Sequence, residues 1–285
     1  MTGTVYAIVA GYDGSPGAAQ ALRWAAREAR ARGTALTVCL AWTPDHLDLP
    51  TEPDLCELAR QRGREIMTRG LPYAESMLGP GEVRAELAAG SAAQVLCERS
   101  RDADMVVVGS SGHSELPSLP LGSVAWQVAG HAAGRVVVVR GAWRPVNQPP
   151  GPVVLGADGS LAGQGAVVFA FEEAALRDVP LVAVCALTDA PGRLGGRQQM
   201  EEDFEQLMTI AAKEHPEVSV TYEILPGTPR AALLSASAGA QLIVVGARGR
   251  GGLDDMSIGS IAQAVLQHAP CPVGVVRQPA GDQLR

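Results

Sequence analysis

Val107-Val-Gly109-Ser-Ser-Gly112, an apolar run ending in a glycine turn, returns 137 residues later as Val244-Val-Gly246-Ala-Arg-Gly249. Gly122-Ser123 and Val138-Val-Arg140 return at the same spacing, as Gly259-Ser260 and Val275-Val-Arg277. Nearer the start, Gly11-Tyr-Asp13-Gly-Ser15 returns as Gly156-Ala-Asp158-Gly-Ser160, 145 residues on. The chain is therefore a long internal repeat, the feature to settle before any other. The second copy is eight residues shorter between its anchors, a deficit expected in a middle loop and helix. Proline-rich Gly141–Gly151 reads as the connection. The expected layout is a first domain over 1–140, a linker over 141–151, a second domain over 152–278 and a tail over 279–285.

Each copy alternates strand and helix. Val5–Gly11 reads as a strand, and Ser15-Pro16 after it as a helix start, with serine capping and proline preset for the first turn. Ala18, Leu22, Ala25 and Ala29 then share one helical face. Strands follow at Leu36–Trp42, Val83–Leu87, Met105–Gly109 and Arg135–Arg140. Helices are expected over Asp54–Leu78, Ala92–Ser100 and Ser123–Ala132. In the second copy strands are expected near Val153, Leu181, Val218, Leu242 and Val273. Near-continuous apolar strands separated by helices imply a parallel sheet covered on both faces. Right-handed crossovers make each copy a doubly wound α/β sandwich.

The 285 residues suffice for two cores, and 47% hydrophobic against 19% charged residues is ordinary for packed domains. With aromatics at 4%, the cores must rest on Ala, Val, Leu and Ile. A net charge of −7 argues against nucleic acid or an anionic membrane as a partner held by bulk electrostatics. The charge is uneven: 15 acidic against 14 basic residues in 1–150, and 15 against 9 in 151–285. No apolar run approaches the roughly 18 residues of a membrane span. The first residues read as a strand rather than a signal peptide. Five cysteines form no CxxC pair, so the cytoplasm is the expected compartment.

In doubly wound sheets ligands bind beyond the carboxyl ends of the strands, where the winding reverses. Two loops in each copy lie at such ends. One carries Asp13 or Asp158. The other reads Gly-x2-Gly-x9-Gly-Ser, as Gly109, Gly112, Gly122 and Ser123, and again as Gly246, Gly249, Gly259 and Ser260. Glycines let backbone amides approach phosphate oxygens and allow positive φ. The closing Gly-Ser opens a helix whose dipole favours an anion. Its serine can be an N-cap, a phosphate ligand or both. Glycine turns are common, but the same four-point spacing twice between strand and helix outweighs a purely structural reading. For Asp13 and Asp158 the alternative is a turn-stabilising aspartate.

These motifs resemble the universal stress protein family, whose signature is G-x2-G-x9-G-[ST] after the fourth strand. The resemblance covers nearly the whole chain and includes both Asp-Gly-Ser turns and the closing Ala269-Pro-Cys-Pro-Val-Gly-Val-Val-Arg277. It implies two tandem five-stranded parallel sheets in order 3-2-1-4-5, related by an approximate two-fold axis, and ATP held by the glycine loops. By position, Asp13 and Asp158 would meet the ribose or adenine side, and Ala41 and Ala186 would line the adenine pocket. Val108, Gly109, Gly112, Gly122, Ser123 and Val124 would form the first phosphate site. The second would comprise Val245, Gly246, Arg248, Gly249, Gly259, Ser260 and Ile261. The chain departs from the family at Ala125 and Ala262, where a serine or threonine often stands. The first loop also lacks arginine and carries Pro117 and Pro120, whereas the second carries Arg248 and Arg250.

Catalytic machinery is hard to find. The Walker motif is absent, and the only lysine, Lys213, lies outside both loops. Gly109-Ser-Ser-Gly112 is not a nucleophile elbow, and the five histidines show no metal spacing. His131 and His268 close the last helices, where a helix dipole accounts for them. Asp254 and Asp255 could help hold Mg²⁺ beside ATP, although acidic pairs in loops are usually only solvated. Three readings stand: an ATP-binding regulator, a slow ATP-hydrolysing enzyme, and an interaction scaffold with decayed sites. The valine-rich last strands, Arg135–Arg140 and Val273–Arg277, would be sheet edges and are expected to pair within the chain. A homodimer is the other association they permit.

Overall fold

The computed structural model describes residues 6–43, 53–79, 81–112, 121–140, 150–160, 163–187, 194–249 and 257–277. The chain divides into two compact units, Met1–Arg140 and Gly141–Arg285. The first contains β1 (Tyr6–Gly11), α1 (Pro16–Arg32), β2 (Leu36–Trp42), α2 (Pro53–Leu78) and β3 (Val83–Ala89). It continues with α3 (Ala92–Arg99), β4 (Ala103–Gly109), α4 (Ser123–His131) and β5 (Gly134–Val139). Its strands are all parallel, in order β3-β2-β1-β4-β5. Ile8, Val9 and Ala10 in β1 and Val106 and Val107 in β4 are wholly buried, as strands covered on both faces must be. On one face α1 packs against α2, and on the other α3 packs against α4.

The second unit repeats this plan. It contains β6 (Val153–Gly156), α5 (Gln164–Arg177), β7 (Leu181–Leu187), α6 (Leu194–Glu214) and β8 (Val220–Pro226). After these come α7 (Pro229–Ala236), β9 (Leu242–Gly246), α8 (Ser260–His268) and β10 (Val273–Arg277). The parallel order is β8-β7-β6-β9-β10. Leu36 pairs with Val83 and Leu181 with Val220, so the eight-residue deficit falls between the second and third strands. Most of it is helix: α2 has 26 residues and α6 has 21. Val218 belongs to the turn before β8, where its amide donates to the His215 carbonyl at 3.1 Å.

The two first helices begin differently. Ser15 caps α1, its Oγ accepting from the Ala18 amide at 3.1 Å, with Pro16 in the first turn. Residue 161 is leucine rather than proline, and α5 starts only at Gln164 behind Gly163. Ser160 Oγ is buried there and has no hydrogen-bond partner among the described residues. Proline presets the φ of a first helical residue, and its loss accompanies a later start.

A buried ion pair is also repeated. Glu28, 3% exposed, meets Arg32 at 2.6 Å, and fully buried Glu173 meets Arg177; the positions are 145 residues apart in both cases. Each is an i,i+4 pair at the end of the first helix, with the acid placed N-terminal to the base. Removing one member of a buried pair leaves a desolvated charge behind. Glu173→Ala is therefore expected to cost about 3 kcal/mol, read as a lower urea midpoint at pH 7. A change below about 1 kcal/mol would place this pair with exposed ones.

Candidate functional site

β1 and β4 lie side by side, with Ala10 opposite Val107, and end at the same level. β1 leads on to β2, whereas β4 leads on to β5 on the other side, so the winding reverses between them. A cavity of about 210 Å³ opens at this point. All eight residues expected of the first site line it: Asp13, Ala41, Val108, Gly109, Gly112, Gly122, Ser123 and Val124. It runs from Ala41 on β2, across the end of β1, to the start of α4. The β2 side is apolar, with Cys39, Ala92 and Leu96, and the β4 side presents glycines, Ser111 and Ser123.

The aspartates have the same setting in both units. Asp13 Oδ1 accepts from the Ser15 amide at 2.9 Å, and Asp158 Oδ1 from the Ser160 amide at 3.0 Å. These Asx turns aim the second oxygen at the glycine loop. A Cβ added to Gly112 would lie 2.9 Å from Asp13 Oδ2, and one added to Gly249 would lie 2.5 Å from Asp158 Oδ2. Gly109 is equally confined, since a Cβ there would lie 2.5 Å from the Gly17 carbonyl carbon. The turn-stabilising role is thus present in both units, and it leaves one carboxylate oxygen facing the loop.

Two expectations need correction. The loop glycines are not in the positive-φ region; among the described residues Gly14 and Gly159, beside the aspartates, are. Close approach of backbone and carboxylate, not backbone conformation, explains glycine at 109, 112 and 249. Nor is the serine the N-cap. Gly122 (φ −70°, ψ 154°) and Gly259 (φ −74°, ψ 154°) are the N-caps, and Ser123 and Ser260 are the first helical residues. Neither glycine offers a side chain to cap its helix. The first amides of α4 and α8 are left to whatever lies in front of them, and the dipole makes that position favour an anion.

In the second unit Val245 and Gly246 end β9, and Ala186 lies next to the end of β7. Arg248 is half-buried between Ala247 and Gly249, and Ile261 follows Ser260 in the first turn of α8. His113, Glu115, Pro117, Pro120, Arg250, Asp254 and Asp255 lie outside the described residues. Among the described residues no group of three His, Cys, Asp or Glu could hold a metal ion. No helix among them is long and apolar enough to cross a membrane.

Sequence reasoning missed Tyr12, Cys39, Ala92, Leu96 and Ser111, which also line the cavity. Ala92 and Leu96 arrive on α3 through tertiary packing and carry no local signal. Ser111 stood inside the quoted loop as an unspecified position. Ala125 brings a methyl group to the third helical position, where a hydroxyl would add a polar contact. Tyr12 is buried, and its hydroxyl titrates above the usual phenol range. Burial is the main cause and the Asp13 carboxylate the second, with Arg69 and Arg23 opposing.

The sequence profile described as the universal stress protein family matches residues 6–140 and again 151–277. A universal stress protein of Mycobacterium tuberculosis is 35% identical over 95% of this chain and 96% of its own length. One from Mycolicibacterium smegmatis is 33% identical over 97% of this chain and 99% of its own. The crystal structure of a universal stress protein from Archaeoglobus fulgidus superposes with a TM-score of 0.70 at 21% identity, covering 96% and 99% of the two chains. That last likeness concerns the fold.

Cys39 offers a direct check on the cavity. Burial, and then the Glu86 carboxylate, push its thiol up to about 12, with Arg99 opposing. The reactive thiolate is then scarcer than for an ordinary cysteine by about a thousandfold at pH 8. Iodoacetamide is expected to spare Cys39 while it labels half-buried Cys56. Equal labelling rates, measured by peptide mass spectrometry, would contradict this environment.

Proposed function

The chain belongs to the universal stress protein family, and we propose that it is an ATP-binding regulatory protein of the stress response. Its conformation or partner affinity would follow nucleotide occupancy. The observation that carries this reading is the uncapped start of α4, fronted by Gly122 and opening into a cavity at the sheet's switch point. Backbone amides at such a position suit phosphate oxygens. Val108, Gly109, Gly112, Gly122, Ser123 and Val124 would hold phosphates, Ala41 would face adenine and Asp13 the ribose side. In the second unit these parts fall to Val245, Gly246, Arg248, Gly249, Gly259, Ser260 and Ile261, with Ala186 and Asp158. Mg²⁺ would arrive with the triphosphate and complete its coordination there with water and phosphate oxygens.

Regulation is favoured over turnover because phosphoryl transfer needs a positioned base and cationic clamps. Among the described residues the cavity lining contains one carboxylate, Asp13, and no lysine, arginine or histidine. We further propose that β5 and β10, the outer strands of their own sheets, pair with each other edge to edge. Slow amide exchange along both strands is expected, and fast exchange on both would remove that pairing.

The second site is expected to bind ATP more tightly. Arg248 adds a permanent cation beside Gly249, whereas the corresponding residue of the first loop is Ser111. A charge-assisted bond to phosphate is worth roughly 1.5–3 kcal/mol, or about ten- to a hundredfold in affinity. The more acidic second half opposes this only at long range, and salt screens beyond about 8 Å. The test uses ATP titration by calorimetry on the wild type, Gly122→Asp and Gly259→Asp. Both glycines are N-caps of ordinary φ with nothing nearer an added Cβ than 3.3 Å. Aspartate is a favoured N-cap, so each variant should fold while its carboxylate occupies the phosphate position. Gly259→Asp is expected to abolish the tighter phase and Gly122→Asp the weaker one. Wild-type protein that neither releases nucleotide on denaturation nor takes up ATP would refute the whole reading.

A further inference from the structure

The repeat in Val138-Val-Arg140 and Val275-Val-Arg277 extends past the valines to an arginine. Its surroundings in the second unit give it a task. Among the described residues, three hydrogen bonds close the loop after β9. The Ala247 amide donates to the Val276 carbonyl at 2.8 Å, and the Gly259 amide donates to the Ala247 carbonyl at 2.8 Å. The third comes from a side chain: Arg277 Nη2 donates to the Ser257 carbonyl. The last two residues of β10 therefore hold both limbs of the loop, Val276 the entry and Arg277 the exit. The exit limb is the stretch that delivers Gly259 and the first amides of α8. In the first unit Ser110 donates to Val139 at 2.9 Å and Gly122 to Ser110 at 2.7 Å, and Arg140 again follows.

We infer that Arg277 is a positioning residue of the second phosphate site. It fixes the exit limb so that the α8 amides stay aligned on one anion position. Backbone amides recognise phosphate only in a set geometry, and a loop rich in glycine supplies little stiffness of its own. A long side chain from the neighbouring strand supplies it, and the planar guanidinium loses less freedom in making such a bond than a lysine does. Half-buried Arg277 is tied to the loop through the Ser257 carbonyl, and in this proposal it acts through the loop.

This inference rests on the nucleotide reading for its consequence but not for its geometry, and the test separates the two. Arg277→Met and Arg277→Lys in the full chain are compared with wild type in two ways. The first is hydrogen exchange without ligand. Arg277→Met is expected to speed exchange of the Gly259 amide by about tenfold while leaving Ala247 within about twofold. The second is calorimetric affinity for ATP and for adenosine. ATP binding at the tighter site should weaken by about tenfold and adenosine by less than about twofold, because only the phosphates meet the exit limb. Arg277→Lys should fall between wild type and Met in both. Unchanged Gly259 exchange overturns the proposal, as does equal weakening of ATP and adenosine. Full ATP affinity in Arg277→Lys with fast Gly259 exchange would assign the effect to charge, and also overturns it. If wild type binds neither ligand, the nucleotide reading fails by itself and the exchange result decides the positioning role.

Discussion

The side-by-side ending of the first and fourth strands of each unit is the constraint on which the rest depends. Ala10 lies opposite Val107 and Leu155 opposite Val244, so the two following loops emerge at one level. They must pass each other with almost no room. In the first unit the first turn of α1 rests on the end of β4 through Gly17 and Gly109, backbone on backbone. In both units the aspartate after the first strand reaches across to the glycine loop, within 2.9 Å of a Cβ at 112 and 2.5 Å of one at 249. Once the loops are so confined, the last strand can close them, and the helix start behind each loop is fixed in place.

That arrangement explains why the helix caps are glycines. A serine or aspartate at 122 or 259 would satisfy the first amides from within and leave nothing to offer a ligand. Glycine at the cap leaves those amides open, at a cost of a few tenths of a kcal/mol relative to the best caps. Gly122 and Gly259 are held by their own amides donating to Ser110 and Ala247, so the cap needs no side chain for its geometry.

Much of this was legible in the sequence, for identifiable reasons. Strands such as Val106–Val108 and Leu242–Val245 are apolar on both faces, and only a sheet covered twice buries them so fully. Two copies at fixed spacing turned a common glycine pattern into a specific one. The role of each glycine was less legible, because sequence cannot tell a positive φ from a close approach. Here the positive φ belongs to Gly14 and Gly159, and the close approach to Gly109, Gly112 and Gly249. Contacts set by tertiary packing left no trace either. Leu96 reaches the cavity from α3, and Arg277 reaches Ser257 over 20 residues.

The two units also show what a repeated backbone holds constant and what it lets drift. Strand order, parallel register, the Asx turn at the aspartate, the buried Glu–Arg pair and the glycine cap are the same in both. All of them are backbone geometry or buried charge, where a single change would leave a polar group unmet. The differences lie where the backbone is indifferent. All three phenylalanines, Phe169, Phe171 and Phe204, fill the second core, while the buried aromatics of the first are Tyr12 and Trp24. Ser15 caps its helix and Ser160 does not. Ser111 in one loop corresponds to Arg248 in the other. A site made chiefly of main-chain amides can tolerate such drift without losing its shape. Any difference in what the two units bind must then come from the few side chains set around one shared frame.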